Sequence, residues 1–206
     1  MTIAILGTGS VGAALGVAFD DAGHIIVYGS RDPSRDDVQG LVARTGAAAS
    51  AATHAEAVAH ADAVVLATPW EATEALVRSL DLAGKVVLDA TNPITWPNLA
   101  LVAEPSGGEA VQQAAPEARV VKAFCTIGAN IMADTAFDAG MRPALFVAGD
   151  DAEAKALALK LAESIGFESL DAGPLSRSAA LEHTAVLWIS LAMQGGRDFA
   201  FGLLRR

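Results

Sequence analysis

The stretch Thr2-Ile3-Ala4-Ile5-Leu6-Gly7-Thr8-Gly9-Ser10-Val11-Gly12 decides how this chain folds. Residues 2–6 are β-branched or aliphatic, and three glycines follow at once in the spacing Gly-x-Gly-x-x-Gly. A helical pattern begins at Ser10 and stops at Gly23, a residue suited to a helix C-terminus. A strand, a glycine-rich turn and a helix in this order form the context in which the motif binds dinucleotide phosphates. We therefore expect a βαβ unit with a phosphate-binding turn.

Each glycine of this turn has a separate expected task. Gly7 allows the tight turn, Gly9 lets a pyrophosphate approach the backbone, and Gly12 allows close packing of helix on strand. The free N–H groups and the positive dipole end of the helix favour phosphate. The structural alternative is an ordinary glycine-rich βα turn. The predicted phosphate loop comprises Gly7, Thr8, Gly9, Ser10, Val11 and Gly12.

The rest of the chain alternates short aliphatic runs with alanine-rich helical stretches, as in a parallel sheet covered by helices. Residues 63–67 are apolar at every position, which is typical of a strand buried on both faces. Capping patterns predict helix starts at Asp32-Pro33, Thr53, Thr68 and Asp150-Asp151, and the last helix after residues 174–176. Strands are predicted at residues 2–6, 25–29, 63–67, 86–89, 120–124, 144–148 and 168–171.

This pattern predicts an α/β fold with a doubly wound, mostly parallel Rossmann sheet, helices on both faces and a small C-terminal lobe. The regular alternation loosens after residue 124. We therefore expect an NADP(H)-binding domain over 1–124 and a small lobe over 125–206 packed against it. One compact domain is the alternative.

Composition narrows the class of protein. The chain has 206 residues and a net charge of −10, without a basic block, so a nucleic-acid partner is not expected. No apolar run approaches the ~20 residues of a membrane span, and no signal peptide is expected before the first strand. The single cysteine, Cys125, suits a reducing compartment, and we expect a cytoplasmic protein. Scattered histidines at positions 24, 54 and 60 predict no metal site.

The end of the second predicted strand reads Tyr28-Gly29-Ser30-Arg31-Asp32. An acidic residue at this place accepts a hydrogen bond from the ribose of NAD, whereas an arginine accommodates the 2′-phosphate of NADP. Ser30 and Arg31 occupy that place, and Arg35 adds charge one turn later. Asp32 is the feature that favours NAD, but its position before Pro33 predicts a helix cap. The residues therefore predict NADP(H) as the cofactor.

Ligands of doubly wound sheets gather at the carboxyl ends of the strands, where three further turns lie. Thr68 and Pro69 are expected to pack against the cofactor, although both also suit a helix start. Asn92 has the paired donor and acceptor that orient a carboxamide, but Asn-Pro is also an ordinary turn. The catalytic residues are left unknown, and the candidate proton donors are Lys122, Cys125, Glu182 and His183.

Several segments together resemble the NADPH-dependent coenzyme F420 reductase family, and in particular its bacterial members. Besides the glycine-rich start, these segments are 28–31, 67–70, 89–93, 122–128, 147–151 and 171–175. The resemblance implies a Rossmann domain with a small C-terminal lobe, frequently dimeric, that binds NADP(H) and a deazaflavin in one cleft. It also implies that Ser30 and Arg31 recognise the 2′-phosphate. Cys125 departs from it, since bacterial members often carry Asn there and archaeal members His.

Three functions follow as hypotheses, each with a small-molecule partner or an unknown one. The first is transfer of hydride between NADP(H) and F420 or a flavin-like acceptor, which needs mostly the orientation of two rings. The second is reduction of a small carbonyl or imine, which benefits from a positioned proton donor. The third is a non-catalytic NADP(H) sensor. We also expect a homodimer.

Overall fold

The computed structural model describes residues 1–137 and 140–206, and it contains ten strands in that part of the chain. They are β1 (Thr2–Leu6), β2 (Ile25–Ser30), β3 (Ser50–Thr53), β4 (Ala63–Leu66), β5 (Val86–Asp89), β6 (Ile94–Thr95), β7 (Ala100–Leu101), β8 (Arg119–Lys122), β9 (Ala144–Gly149) and β10 (Glu168–Gly173). All seven predicted strands are present. The short strands β3, β6 and β7 were not predicted.

Eight of these strands form one sheet in the order β3-β2-β1-β4-β5-β8-β9-β10. The pairs from β3 to β8 are all parallel, β9 runs antiparallel to β8, and β10 is parallel to β9. This arrangement is the predicted doubly wound, mostly parallel sheet. The sheet continues across residue 124, because β9 and β10 extend it. A division into 1–124 and 125–206 stays a prediction.

Helices cover both faces of the sheet, as predicted. They are α1 (Ser10–Asp21), α2 (Asp36–Thr45), α3 (His54–Ala59), α4 (Trp70–Arg78), α5 (Gly107–Ala114), α6 (Ala129–Ala133), α7 (Ala152–Ser164) and α8 (Ser178–Gly195), with a 3-10 turn at Leu175–Arg177. Among the residues described, no helix is long and apolar enough to cross a membrane.

Alternate residues of the central strands belong to two separate cores. In β1, Ile3 and Ile5 join the core beneath α1, while Ala4 and Leu6 join the core beneath α3. Both sets are fully buried. This two-sided burial follows from the alternation of side chains along a strand, and it explains why these strands are continuously apolar.

The structure corrects two predicted helix starts. Helix α2 begins at Asp36, with Arg35 at the N-cap, instead of at Pro33. The Asp32 carboxylate accepts hydrogen bonds from the backbone N–H (3.0 Å) and hydroxyl (2.6 Å) of Ser34, so it closes a local turn. Side chains of Asp favour such turns as readily as helix caps.

The second correction concerns α4, whose N-cap is Pro69 and has no side-chain cap. The Thr68 hydroxyl contacts the hydroxyl of Thr73 at 2.9 Å and does not cap the helix. Two other predicted starts are confirmed. Thr53 forms a capping box with Glu56, and Asp151 accepts a hydrogen bond from the N–H of Ala154 at 2.7 Å.

Candidate dinucleotide-binding site

The turns that follow β1, β4, β5 and β8 lie side by side at one edge of the sheet. These strands are parallel neighbours, so their carboxyl ends meet there. The edge therefore brings together the glycine loop after β1, Thr68 after β4, Asn92 after β5 and Cys125 after β8. In doubly wound sheets this edge is where ligands bind.

Two glycines of the loop are required by the protein itself. Gly7 has a φ of 118°, and a Cβ there would lie 2.3 Å from the carbonyl oxygen of Ala67. A Cβ on Gly12 would lie 1.9 Å from the carbonyl oxygen of Gly7. Both separations are far shorter than a van der Waals contact. Gly7 and Gly12 therefore allow the loop to pack against β4 and against itself.

Gly9 differs, because a Cβ added there would meet no protein atom within 4 Å. Its φ of −77° is open to any residue. Packing within the protein therefore does not require glycine at this position. A side chain would instead project into the open space beside the loop, which suits an approach of a pyrophosphate to the backbone.

Helix α1 also leaves its first turn available to an anion. Its N-cap, Gly9, makes no side-chain cap hydrogen bond, and no acidic residue lies in the first turn. By contrast, Thr53, Ser106 and Asp151 cap helices α3, α5 and α7. The uncapped N–H groups and the helix dipole both favour a phosphate here. The residues present thus fit a dinucleotide.

A basic corner follows β2. Ser30 is 8% exposed, and its hydroxyl donates to the carbonyl of Asp32 at 3.1 Å. Arg31 is exposed and has no ion pair or side-chain hydrogen bond among the residues described. The guanidinium of Arg35 is instead bound by both carboxylate oxygens of Asp37, at 2.9 and 2.5 Å. Arg31 is therefore the arginine of this corner whose charge is free for a ligand.

Thr68 and Pro69 border the glycine loop on the β4 side. The hydroxyl of Thr73 donates to the carbonyl of Pro69 at 3.0 Å, so Thr68 must be the donor in the contact between the two hydroxyls. The lone pairs of the Thr68 hydroxyl remain able to accept. Pro69 is exposed, whereas Trp70 packs against the core beneath α3, the one that contains Leu6.

Asn92 carries an unusual unsatisfied atom. Its side-chain N–H group donates to the carbonyl of Cys125 at 2.9 Å, which fixes the orientation of the amide. The Oδ1 atom at its other end is buried and has no hydrogen-bond partner. Buried polar atoms nearly always have a partner, so an unpartnered one at a ligand-binding edge marks a place for a donor. The amide of a nicotinamide is a donor of this kind.

The turn after β8 depends on Phe124, which has a φ of 62°. A bulky residue in this left-handed region costs of order 1–3 kcal/mol. The ring of Phe124 is held edge-on by Phe19 and Phe167, with centroids 6.0 and 6.1 Å away. This packing holds the conformation that carries the chain from β8 into Cys125.

Cys125 itself is buried, packed near Ala148 and Leu181. Burial raises the pKa of its thiol to about 12, although the positive charge of Lys122 opposes the rise. The thiol is therefore protonated near neutral pH, and a buried protonated thiol is a poor nucleophile. Its surroundings do not favour a redox role.

Lys122 is fully buried in a group of charges that the sequence did not reveal as a unit. Its ammonium group donates hydrogen bonds to Asp89 at 2.9 Å and to the carbonyl of Thr91 at 2.7 Å, and it forms an ion pair with Glu182 at 2.9 Å. Burial lowers the pKa of Lys122, but the charge of Asp89, its hydrogen bond and the charge of Glu182 outweigh this and raise it above its ordinary value. Two hydrogen bonds and one ion pair surround this ammonium group, and its pKa is raised, so proton donation to a substrate is not favoured.

The other two proton-donor candidates lie on α8. Glu182 is 1% exposed and accepts from the backbone N–H groups of Gly107 and Gly108, at 3.0 and 3.1 Å, and it also forms the ion pair with Lys122. His183 is exposed, and its Nδ1 lies 2.7 Å from the carbonyl of Ala179. The cavity beside His183 is lined by Leu101, Glu104 and Pro105 and includes no residue of the predicted cofactor site.

Fold and site define a Rossmann-type dinucleotide-binding protein. The chain belongs to the family of coenzyme F420-dependent NADP oxidoreductases, whose family model matches residues 2–93. The F420-dependent NADP reductase of Methanothermobacter marburgensis is 31% identical over 208 residues, which cover 93% of this chain and 92% of the relative. The protein is thus an NADP-dependent oxidoreductase with NADP(H) as its cofactor.

Other similarities extend over nearly all of the chain. A solved structure from Arthrobacter sp. FB24, provisionally assigned as an F420-dependent NADP-reductase, is 32% identical and has a TM-score of 0.87, covering 98% of this chain and 99% of that one. The metalloreductase STEAP3 of Rattus norvegicus is 30% identical over 184 residues, which span 87% of this chain but only 35% of that protein. A reductive aminase from Aspergillus terreus shares the fold, with a TM-score of 0.69 at 21% identity, covering 95% of this chain and 63% of that one.

Proposed function

We propose that this oxidoreductase transfers hydride between NADP(H) and a deazaflavin such as coenzyme F420. The observation that carries the proposal is the state of the candidate proton donors at the carboxyl edge. Lys122 is buried and held by two hydrogen bonds and an ion pair, and the Cys125 thiol is buried with a pKa of about 12. Hydride transfer between two rings needs proximity and orientation more than a protein acid. Similarity to the M. marburgensis reductase supports the same acceptor.

We assign the pyrophosphate to the loop Gly7, Thr8, Gly9, Ser10, Val11 and Gly12. The uncapped N–H groups of α1 support this assignment, as does the open space beside Gly9. We assign the 2′-phosphate to Ser30 and Arg31, because Arg31 is exposed and Asp32 is engaged with Ser34. The Ser30 hydroxyl, which donates to the carbonyl of Asp32, would turn to donate to the phosphate. Arg35 takes a smaller part, since Asp37 already binds its guanidinium.

We assign the nicotinamide half of the cofactor to Thr68, Pro69 and Asn92. When bound, NADP(H) supplies or accepts the hydride at its nicotinamide ring. The unpartnered Oδ1 of Asn92 accepts a hydrogen bond from the carboxamide, while the other end of the amide stays on Cys125. Thr68 and Pro69, in the turn after β4, would contact the ring as well. Together these residues orient the ring, which is the main requirement of the reaction.

The test is an anaerobic mixture of protein, NADPH and F420, followed by the absorbance of the deazaflavin. We expect bleaching that depends on enzyme concentration and a large loss of turnover for Asn92→Ala. The matched control is Asn98→Ala, because Asn98 is exposed in the β6–β7 turn and forms no side-chain hydrogen bond among the residues described. No bleaching with NADPH shown to be bound would exclude F420 as acceptor.

Two other outcomes would replace the proposal. Oxidation of NADPH by a panel of ketones or imines, with no reaction of F420, would favour the carbonyl or imine reductase. Tight binding of NADPH without oxidation by any acceptor, flavins included, would favour a sensor that acts through a partner. Either result would leave the NADP(H) site as assigned and would change only the proposed reaction or role of the bound cofactor.

We also propose a cytoplasmic homodimer that associates through α8. Leu187, Leu191 and Met193 of this helix are 52%, 42% and 64% exposed, and apolar side chains of this size on one helix suit an interface. The single cysteine supports a reducing compartment. Analytical ultracentrifugation of the wild type should give twice the mass of one chain. The double variant with Leu187→Glu and Leu191→Glu should give the mass of a single chain. A monomeric wild-type protein would contradict the assembly.

A further inference from the structure

A second basic side chain, His54, stands beside Arg31 at the corner assigned to the 2′-phosphate. Strands β2 and β3 are parallel neighbours, and Ser30 is paired with Thr53 in their register. Arg31 and His54 are the next residues of their chains, so both follow the carboxyl end of a strand at the same edge. Neighbouring strands lie about 4.8 Å apart, which places the two residues side by side.

The ring of His54 packs against the end of β2. A Cβ built on Gly29 would lie 3.2 Å from Cδ2 and 3.4 Å from Cα of His54. The missing side chain of Gly29 thus makes room first for Leu6, whose Cδ2 would lie 2.5 Å from that Cβ, and also for the imidazole next to Ser30. The ring is partly buried, and the imidazole forms no side-chain hydrogen bond within the described part of the chain. Its nitrogens are therefore available to a ligand.

The charged group that acts on His54 is the positively charged Arg31. Burial, and then the positive charge of Arg31, lower the pKa of His54 below its ordinary value of 6.5. The segments Thr2–Leu6 of β1 and Ser50–Thr53 of β3 contain no charged residue. The carboxylate of Glu56 on α3 is bound to the N–H and hydroxyl of Thr53, at 3.0 and 2.6 Å. An anion bound at this corner would oppose the positive charge of Arg31 and would raise the pKa of His54.

We propose that His54 is a specificity-determining residue that binds the 2′-phosphate of NADP(H) together with Ser30 and Arg31. This inference rests on the proposed assignment of the phosphate to that corner. A ring nitrogen of His54 takes a proton from solvent as the phosphate binds and then donates a hydrogen bond to a phosphate oxygen. Opposite charges at this distance favour the protonated ring, whereas the free protein favours the neutral one. NADP(H) binding is therefore coupled to proton uptake.

The test compares adenosine 2′,5′-bisphosphate with adenosine 5′-monophosphate, which lacks only the 2′-phosphate. His54→Gln keeps a polar side chain that cannot gain charge, and His60→Gln is the matched control because His60 is exposed at the end of α3. Calorimetric titration near pH 6.5 in two buffers of different ionisation enthalpy gives the affinity and the protons taken up. A melting curve for each variant shows that it is folded.

We expect His54→Gln to bind the bisphosphate roughly tenfold more weakly, as for the loss of one charge-assisted hydrogen bond. Proton uptake should fall in this variant, while the monophosphate binds as in the wild type. The 2′-phosphate also titrates near pH 6, but that contribution is common to both proteins and cancels in the comparison. His60→Gln should behave as the wild type throughout.

Three results are distinguishable. Equal affinity and equal proton uptake in wild type and His54→Gln would overturn the role of His54 while the site at Arg31 stands. Equal weakening for both nucleotides would also overturn it, because the effect would not depend on the phosphate. If the wild type binds the bisphosphate no better than the monophosphate, the proposed 2′-phosphate corner itself is wrong.

Discussion

At the scale of single residues, Arg31 and Arg35 show how the same side chain differs with its surroundings. Both are exposed and both follow β2. Arg35 is held by Asp37 in a two-pronged contact, whereas Arg31 has no carboxylate partner among the described residues. A guanidinium already bound in this way has fewer free N–H donors and less uncompensated charge for a phosphate. We therefore expect recognition of the 2′-phosphate to depend mainly on Arg31.

Replacement of Arg31 by Ala should weaken NADPH binding by about 10- to 100-fold, the loss expected for charge-assisted hydrogen bonds. NADH binding should change little, because the 2′-phosphate is absent. Arg35→Ala is the control and should weaken NADPH binding far less. Fluorescence titration of the four combinations measures the effect. Equal losses for the two variants would show that the pair with Asp37 opens in the complex.

The thiol of Cys125 gives a second prediction at this scale. Burial raises its pKa to about 12, so the native protein at neutral pH holds a protonated and inaccessible thiol. Iodoacetamide should label Cys125 very slowly in buffer and at the rate of a model thiol in guanidinium chloride. Mass spectrometry measures both rates. Rapid labelling of the folded protein would show that the turn after β8 opens to solvent.

At the scale of elements, the glycine loop separates what the fold requires from what the ligand requires. Gly12 is needed for the packing of α1 on the loop, because a Cβ there would overlap the carbonyl of Gly7. Gly9 has open space beside it and an ordinary φ. The two positions of one motif therefore serve different purposes.

Gly9→Ala should leave the melting temperature nearly unchanged and weaken NADPH binding by an order of magnitude or more, since the methyl group enters the space of the pyrophosphate. Gly12→Ala should lower the stability by several kcal/mol, because overpacking forces the backbone to move. Differential scanning calorimetry and NADPH titration on both variants check this. A Gly9→Ala protein that binds NADPH normally would contradict the assignment of the loop.

The sequence predicts elements best where the signal is local. The strand and the glycines of residues 2–12 are adjacent, and β4 is apolar throughout, so both were predicted correctly. Strand β3 reads Ser-Ala-Ala-Thr at the edge of the sheet and has little β-propensity, so it was missed. The start of α2 was misplaced because Asp32 suits a turn as well as a cap.

Contacts between residues that are distant in the sequence could not be predicted from local patterns. Asp89 and Lys122 lie opposite each other only because β5 and β8 pair in that register, and Glu182 reaches them from α8. The pairing of His54 with Arg31 likewise needs the register of β2 and β3. From the sequence alone, His54 was one of several scattered histidines. The sequence therefore predicted Ser30 and Arg31 for this corner, whereas the position of His54 beside them was not predicted.

At the scale of the whole molecule, Lys122, Asp89 and Glu182 join the sheet to the helices beyond it. Lys122 and Asp89 end β8 and β5, while Glu182 belongs to α8 and also binds the first N–H groups of α5. The three side chains are almost fully buried. Removal of one charge would leave the others buried without compensation, which is far more costly than the net gain of the intact group.

Lys122→Met should therefore lower the free energy of unfolding by roughly 3–5 kcal/mol. Lys160→Met is the control, because Lys160 is exposed on α7 and should change the stability by less than about 0.5 kcal/mol. The folded-state pKa of Lys122 lies above its unfolded value, so its stabilisation is complete below about pH 10 and is lost only as the pH rises through the folded value. Urea unfolding at pH 7 and pH 9 should give the same difference. A difference that shrinks between these pH values would contradict the charge group.

The central claim, direct hydride transfer to a deazaflavin, is tested most directly with NADPH that carries deuterium at C4 of the nicotinamide. The protein is mixed with F420 under anaerobic conditions, once with each of the two C4 stereoisomers, and reduced F420 is analysed by mass spectrometry. We predict that one isomer delivers its deuterium to F420 and the other does not, because the oriented ring presents one face. Reduced F420 without deuterium from either isomer, or no reduction while NADPH is bound, would contradict the account.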